Sequence, residues 1–213
     1  MQNNSSKQVL LSVLGVAILV VAVVGVSFAA FTWASTDTTE NKISTGTLTM
    51  IYTAKTNGIN ITDAMPTTDD AGIAVKDASD TKSNKTFKFT VGATINGAAT
   101  INYDLGLAKN NTTNALADTD VHMYLATLNV NTETAVKTAA GVDAKGVFTF
   151  KQNSAPSVNG VPATSMTIAT GSFNATGTKD YILKMWLKDT YAFASGDVAK
   201  TYSVTVNAYA KAA

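Results

Sequence analysis

The sequence predicts an all-β protein: an antiparallel β-sandwich of jelly-roll type, preceded by an N-terminal hydrophobic helix. Three observations support this fold class. One long apolar run lies near the N-terminus, apolar and polar residues alternate through the rest of the chain, and the composition favours strands and turns. Glu, a common residue of surface helices, occurs only at positions 40 and 133, whereas Thr, Asn and Val are abundant.

The apolar run extends from Val9 to Ala30 and contains only Ser12 and Ser27 as polar residues. Its roughly 22 residues would span about 33 Å as a helix, enough to cross a bilayer. Ser27 and Ala29 are small residues at the −3 and −1 positions of a cleavage site after Ala29. The run is longer than the apolar core of most cleaved signal peptides, so residues 1–29 are either a signal peptide or a membrane anchor. Both alternatives predict export.

Residues 30–213 are predicted to form a single β-sandwich domain, with residues 30–42 as an N-terminal arm. Apolar residues recur at every second position, which is typical of strands with one buried face. A short helix is expected within Asp63–Val75 or Asp189–Asp197. Lys184 and Lys188 are predicted to face solvent. The predicted buried faces are Phe87/Phe89/Val91, Tyr103/Leu105, Met123/Leu125, Leu183/Met185 and Val204/Val206.

Composition argues against several functions. The chain has no Cys, which excludes disulfides, thiolate metal sites and a Cys nucleophile. All sixteen basic residues are Lys and the formal net charge is +1, so the Arg-rich footprint of nucleic-acid recognition is missing. His122 is the only histidine and no triad motif surrounds it, so a solvent-facing strand residue is expected there. We therefore predict no enzymatic activity, no cofactor and no nucleic-acid partner.

Acidic residues offer only weak metal candidates. Asp63, Asp69 and Asp70 lie close together in the sequence, and their oxygens are of the type that Ca²⁺ prefers. The loop lacks the EF-hand pattern, however, and Asp in turns is explained first by hydrogen bonds to the local backbone. The expectation is that no metal binds there.

The segment that follows the apolar run has the pattern of a short strand. Phe31 and Trp33 alternate with smaller residues, so two large aromatic residues share one face. If cleavage frees this arm, the two rings need a groove, either in the arm's own domain or in a neighbouring subunit. The predicted subunit-interface residues are Ala30, Phe31, Thr32, Trp33, Ala34 and Ser35.

Several short motifs also carry a family resemblance. They are GVSFAAFTWASTD (25–37), NKISTGTLTM (41–50), GINITDAMPTTDDAG (58–72), INYDL (101–105), DVHMYL (120–125) and YILKMWLKD (181–189). Their order resembles the TasA/camelysin-like exported proteins of bacteria and their archaeal filament-forming relatives. Some relatives were described as metalloproteases, but this chain has no zinc-ligand set that would support such an activity.

The resemblance implies a jelly-roll subunit that polymerises into an extracellular fibre, pilus-like filament or biofilm matrix by donor-strand complementation. Its partners would be identical subunits, with signal peptidase acting during processing, and its location extracellular or at the cell surface. The alternative is a membrane-anchored surface β-sandwich that binds a protein or a glycan. It would contact the membrane only through its N-terminal segment.

Overall fold

A computed structural model describes residues 33–35, 41–45, 48–54, 59–61, 65–75, 86–110, 115–130, 132–194 and 200–213. The chain divides into two compact units, Met1–Phe31 and Thr32–Ala213. The first unit, and with it the predicted export segment, lies outside the described residues. None of the helices in the described part is long and apolar enough to cross a membrane.

Strands dominate the described residues. They are β1 (Trp33–Ser35), β2 (Asn41–Thr45), β3 (Leu48–Ala54), β4 (Ile59–Ile61), β5 (Pro66–Thr67), β6 (Thr86–Ile95), β7 (Ile101–Lys109), β8 (Val121–Asn129), β9 (Thr132–Ala135), β10 (Val147–Phe148), β11 (Met166–Phe173), β12 (Gly177–Lys188) and β13 (Tyr202–Ala212). Among the described residues one short helix, α1 (Asp69–Ala74), lies within the first of the two segments where a helix was predicted.

The strands form two sheets. The five-stranded sheet has the order β1-β13-β7-β11, with β4 also paired to β13. The eight-stranded sheet has the order β10-β8-β12-β6-β3-β2, with β5 paired to β12 and β9 to β8. Every ladder is antiparallel except that between β5 and β12. The prediction of an all-β, mainly antiparallel fold is therefore confirmed.

The main core lies between the two sheets. All five predicted faces are buried, and Val91, Leu105 and Leu183 are completely inaccessible to solvent. Two hydrogen bonds of tyrosine hydroxyls join the sheets across this core. The hydroxyls of Tyr103 and Tyr181 lie 2.8 Å apart, and Tyr52 donates to the carbonyl of Val206 at 3.0 Å. Because buried polar groups are costly when unpaired, these contacts make the relative position of the sheets specific.

A second apolar cluster lies on the outer face of the eight-stranded sheet. It consists of Tyr124, Ala126, Val147, Ile182 and Trp186, with Ile73, Leu128 and Ala135 packed against it. Since α1 and β9 supply two of these covering residues, the central strands β8 and β12 are buried on both faces.

This cover explains why the prediction for Lys184 was wrong. Lys184 has only 2% of its side chain exposed, and its ammonium donates to Ile73 O and Glu133 Oε2 at 2.6 Å each. The alternation correctly assigned Lys184 to the outer face, but α1 and β9 cover that face. Lys188 is paired with Asp120 at 2.7 Å and keeps 25% of its side chain exposed.

We expect Leu183→Asp to unfold the domain, because Leu183 is fully buried between the sheets. An unpaired carboxylate in that position costs several kcal/mol, which is comparable with the roughly 5–15 kcal/mol stability of a typical domain. Thr178→Asp, on an exposed position of the same strand, should cost less than about 1 kcal/mol. Urea denaturation followed by circular dichroism measures both. A folded Leu183→Asp variant would contradict the assigned core.

A second expectation concerns alkaline pH. Burial raises the pKa of six tyrosines above their ordinary value of about 10: Tyr52, Tyr103, Tyr124, Tyr181, Tyr202 and Tyr209. These groups therefore keep their protons in the folded state at a pH where the unfolded chain has already lost them. The free energy of unfolding should be constant up to about pH 9 and fall as the pH rises past 10.

Urea titrations between about pH 7 and 11.5, with tyrosinate absorbance as a second signal, test this expectation. A stability that does not change up to the highest pH would contradict it.

Candidate subunit interface

The predicted arm meets the rest of the fold along one edge of β13. The amide of Asn110, next to the end of β7, donates to Ser203 O at 2.9 Å, so the backbone groups of Ser203 face β7. Successive residues of a strand in an antiparallel ladder direct these groups to opposite sides. The amides and carbonyls of Val204, Val206, Ala208 and Ala210 therefore face the opposite edge.

Two short strands lie end to end on that edge. Strand β4 pairs with Tyr202–Val204, and β1 pairs with Ala208–Ala210. Both run antiparallel to β13. In the interval between them, the carbonyl of Val206 accepts a hydrogen bond from the hydroxyl of Tyr52, which belongs to the other sheet. This edge of β13 is thus closed by two strands and one side chain, rather than by one continuous strand.

The core-facing side chains of β13 become smaller where β1 pairs. Tyr202, Val204 and Val206 are followed on the same face by Ala208 and Ala210. Ala210 pairs with Tyr103, whose hydroxyl meets Tyr181 of the other sheet, which identifies this face as the one toward the core. Strand β1 therefore pairs with the part of β13 that fills least of the space between the sheets.

Half of the predicted interface residues lie in β1. Trp33 pairs with Ala210, Ala34 with Tyr209 and Ser35 with Ala208, all within one chain. Ala30, Phe31 and Thr32 lie outside the described residues. The backbone thus brings the predicted arm to a sheet edge as an added antiparallel strand. Its donation to a neighbouring chain stays a prediction.

The acidic candidates have other side chains as partners. Asp69 Oδ1 accepts the indole N–H of Trp186 at 3.2 Å and lies 2.7 Å from His122 Nδ1. Asp70 pairs with Lys145 at 2.6 Å, and Asp63 lies outside the described residues. Within the part of the chain that is described, no group of three or more His, Cys, Asp or Glu side chains is arranged to hold a metal ion.

The prediction that His122 is a strand residue is confirmed, but it does not project freely into solvent. Its side chain is 24% exposed, pairs with Asp69 and is nearly perpendicular to the Trp186 ring, with 6.2 Å between the ring centroids. Together these three side chains attach the start of α1 to the outer face of the eight-stranded sheet.

The sequence analysis did not predict this attachment, although the sequence contains a recognisable start signal for α1. Thr68 caps α1 by accepting the amide of Ala71 at 3.4 Å, and two aspartates follow in the first turn. Ser/Thr followed by acidic residues is a recognised start signal for a helix. Gly72 adds a close approach, because a Cβ there would lie 2.3 Å from Cδ2 of Trp186.

A scan of the chain against models of known protein families finds no match, and a search of curated proteins finds none either.

Gly72→Ala should destabilise the domain by about 1–3 kcal/mol, because the new methyl group overlaps the buried Trp186 ring. Gly177→Ala is the matched control, since nothing lies within 4 Å of its added Cβ, and its effect should stay within about 0.5 kcal/mol. Equilibrium urea unfolding measures the difference. Equal stabilities for the two variants would mean that α1 does not pack on Trp186 in solution.

Proposed function

We propose that this protein is a structural subunit of an extracellular fibre, a pilus-like filament or a biofilm matrix, and that subunits join by donor-strand complementation. In this proposal residues 30–213 form a jelly-roll sandwich, and an N-terminal hydrophobic helix directs export. Signal peptidase cleaves after Ala29 and frees the arm. The observation that carries the proposal is the pairing of Trp33–Ser35 with the edge of β13.

This pairing supports exchange because it is short and lies at an edge. Strand β1 contributes three residue pairs to the ladder. The edge of β13 is identical in every copy of the chain, so an arm from a neighbour can form the same three pairs. Exchange of an identical element between subunits conserves its contacts, which makes it a low-cost route to assembly. Because the donor and acceptor surfaces differ, the contact is head to tail, and such contacts build a filament when the rotation between successive subunits does not close a ring.

The sequence of the arm fits this edge. Residues directly opposite each other in an antiparallel pair point to the same face. Trp33 is opposite the small residue Ala210 in the ladder, and Phe31, the other large aromatic residue of the arm, belongs to the same alternating series in the sequence. Burial of such rings contributes about 2–3 kcal/mol each, and their spacing selects one register. Backbone hydrogen bonds would supply affinity and the aromatic pair specificity, as in other β-augmented complexes.

A second candidate function follows from the length of the apolar run. If residues 1–29 are retained as an anchor, the arm stays attached to the membrane and cannot be donated freely. The protein would then be a surface β-sandwich that binds a protein or glycan through its loops. The N-terminal residue of the protein isolated from cells separates the two functions: Ala30 supports the fibre and Met1 supports the anchor.

The decisive experiment locks the arm onto its own chain. Ser35 and Ala208 are directly paired, and paired residues of this type lie about 5.5 Å apart between Cα atoms, within the range of a disulfide. Since the chain has no Cys, Ser35→Cys with Ala208→Cys introduces a unique crosslink. We expect the oxidised protein to stay monomeric and the reduced protein to form fibres, as seen by electron microscopy.

Ser35→Cys alone is the control and should form fibres in both redox states. Trp33→Ser should weaken assembly while leaving the isolated fold largely intact, and deletion of residues 30–35 should leave a soluble monomer. Fibres from the oxidised double variant, or from the deletion variant, would show that donor-strand exchange is not the mechanism.

A further inference from the structure

An open cleft of about 480 Å³ lies beside the start of β11, the outermost strand of the five-stranded sheet. Residues 151–157 form most of it, with Thr167 and Ala140 completing the lining. Its size falls within the roughly 300–1,000 Å³ range of small-molecule sites. It is remote in sequence from the arm and belongs to neither strand that the proposed assembly uses.

Hydrogen bonds hold one wall of the cleft in place. The side chain of Asn153 donates to Thr167 Oγ1 and accepts from the amide of Thr167, both at 3.0 Å. The amide of Asn153 also donates to Ser165 O at 2.9 Å. Ser157 accepts the amide of Val161 through its hydroxyl at 2.9 Å, which closes the following turn. The wall is thus formed before any ligand arrives, so binding need not order it.

The remaining polar groups are uncommitted. Lys151, Gln152 and Ser154 line the cleft, are exposed, and have side chains without a hydrogen-bond partner among the described residues. They offer an ammonium, an amide and a hydroxyl. No carboxylate lines the cleft, so Lys151 supplies its only formal charge. The site therefore presents one positive charge next to several neutral hydrogen-bonding groups.

This combination indicates the chemical class of the ligand. A protein partner would need large apolar anchors, and the apolar side chains of the lining are only alanines. A nucleic acid would need stacking rings and several cations, which the lining lacks. One charge beside neutral hydrogen-bonding groups instead complements a hydroxyl-rich molecule that presents a carboxylate to Lys151.

We propose that the cleft between residues 151–157 and Thr167 binds an acidic saccharide. Lys151 contacts the carboxylate of a uronic acid unit, and Gln152 and Ser154 bind ring hydroxyls. This site would join the protein to a carboxylated polysaccharide of its surroundings. The proposed exchange of the arm does not use the cleft, so the site can act in the fibre form, and in the anchored form it would be the loop site that binds a glycan.

Isothermal titration of the full-length chain in mild detergent, with digalacturonic acid as the probe, tests the proposal. We expect a dissociation constant between about 10 µM and 1 mM, the range of weak specific binding. Lys151→Gln should weaken binding at least fivefold and reduce its dependence on salt. Lys145→Gln is the matched control, because Lys145 is exposed but pairs with Asp70 outside the cleft. It should bind as the wild type does.

Two further probes make the result specific. Cellobiose, a neutral disaccharide, and inorganic phosphate should each bind at least tenfold more weakly than digalacturonic acid. Gln152→Leu should weaken the binding of digalacturonic acid without changing the binding of phosphate. The proposal is overturned if no probe binds, if Lys151→Gln binds as the wild type does, or if phosphate or cellobiose binds as tightly as the acidic sugar. Fibre formation is not measured, so this outcome is independent of the donor-strand test.

Discussion

Strand β12 (Gly177–Lys188) is buried on both faces, and most of the eight-stranded sheet is organised around it. One face contributes Tyr181, Leu183 and Met185 to the core between the sheets. The other contributes Ile182 and Trp186 to the outer cluster under α1. Because its two long neighbours, β6 and β8, pair along most of its length, a register slip in β12 would exchange both sets of side chains. The register of β12 therefore fixes the positions of two apolar clusters that share no residue.

The five-stranded sheet depends less on such central burial and more on how its edge is completed. Its strand β13 is covered on one side by β7 along its length, but on the other by two short strands and the hydroxyl of Tyr52. An edge with unsatisfied backbone groups is a template for further pairing. The edge that accepts the short strand β1 therefore lies in the sheet opposite the one that carries the double-sided core.

Alternation along each strand was sufficient to predict the all-β fold and the faces that meet between the sheets. The strand character of the arm was also readable, because Phe31 and Trp33 lie two positions apart. Alternation could not show that the outer face of β12 is covered. Lys184 and His122 look like solvent-facing residues in the sequence, since each follows a buried neighbour. Lys184 is buried and His122 is partly covered because α1 and β9, which are distant in sequence, pack on this face.

The sequence by itself determined the class of structure, because apolar residues at every second position require strands with one apolar and one polar face. The lack of Cys excludes disulfides and thiolate sites, and the lack of Arg argues against nucleic-acid recognition. Tertiary structure decided which edge accepts the arm, because pairing between β1 and β13 joins residues about 175 positions apart and leaves no local signal. The tertiary structure also forms the cleft at residues 151–157, because its wall depends on the hydrogen bond of Asn153 to Thr167. Local pattern specifies what a residue can do, while long-range pairing specifies where it does so.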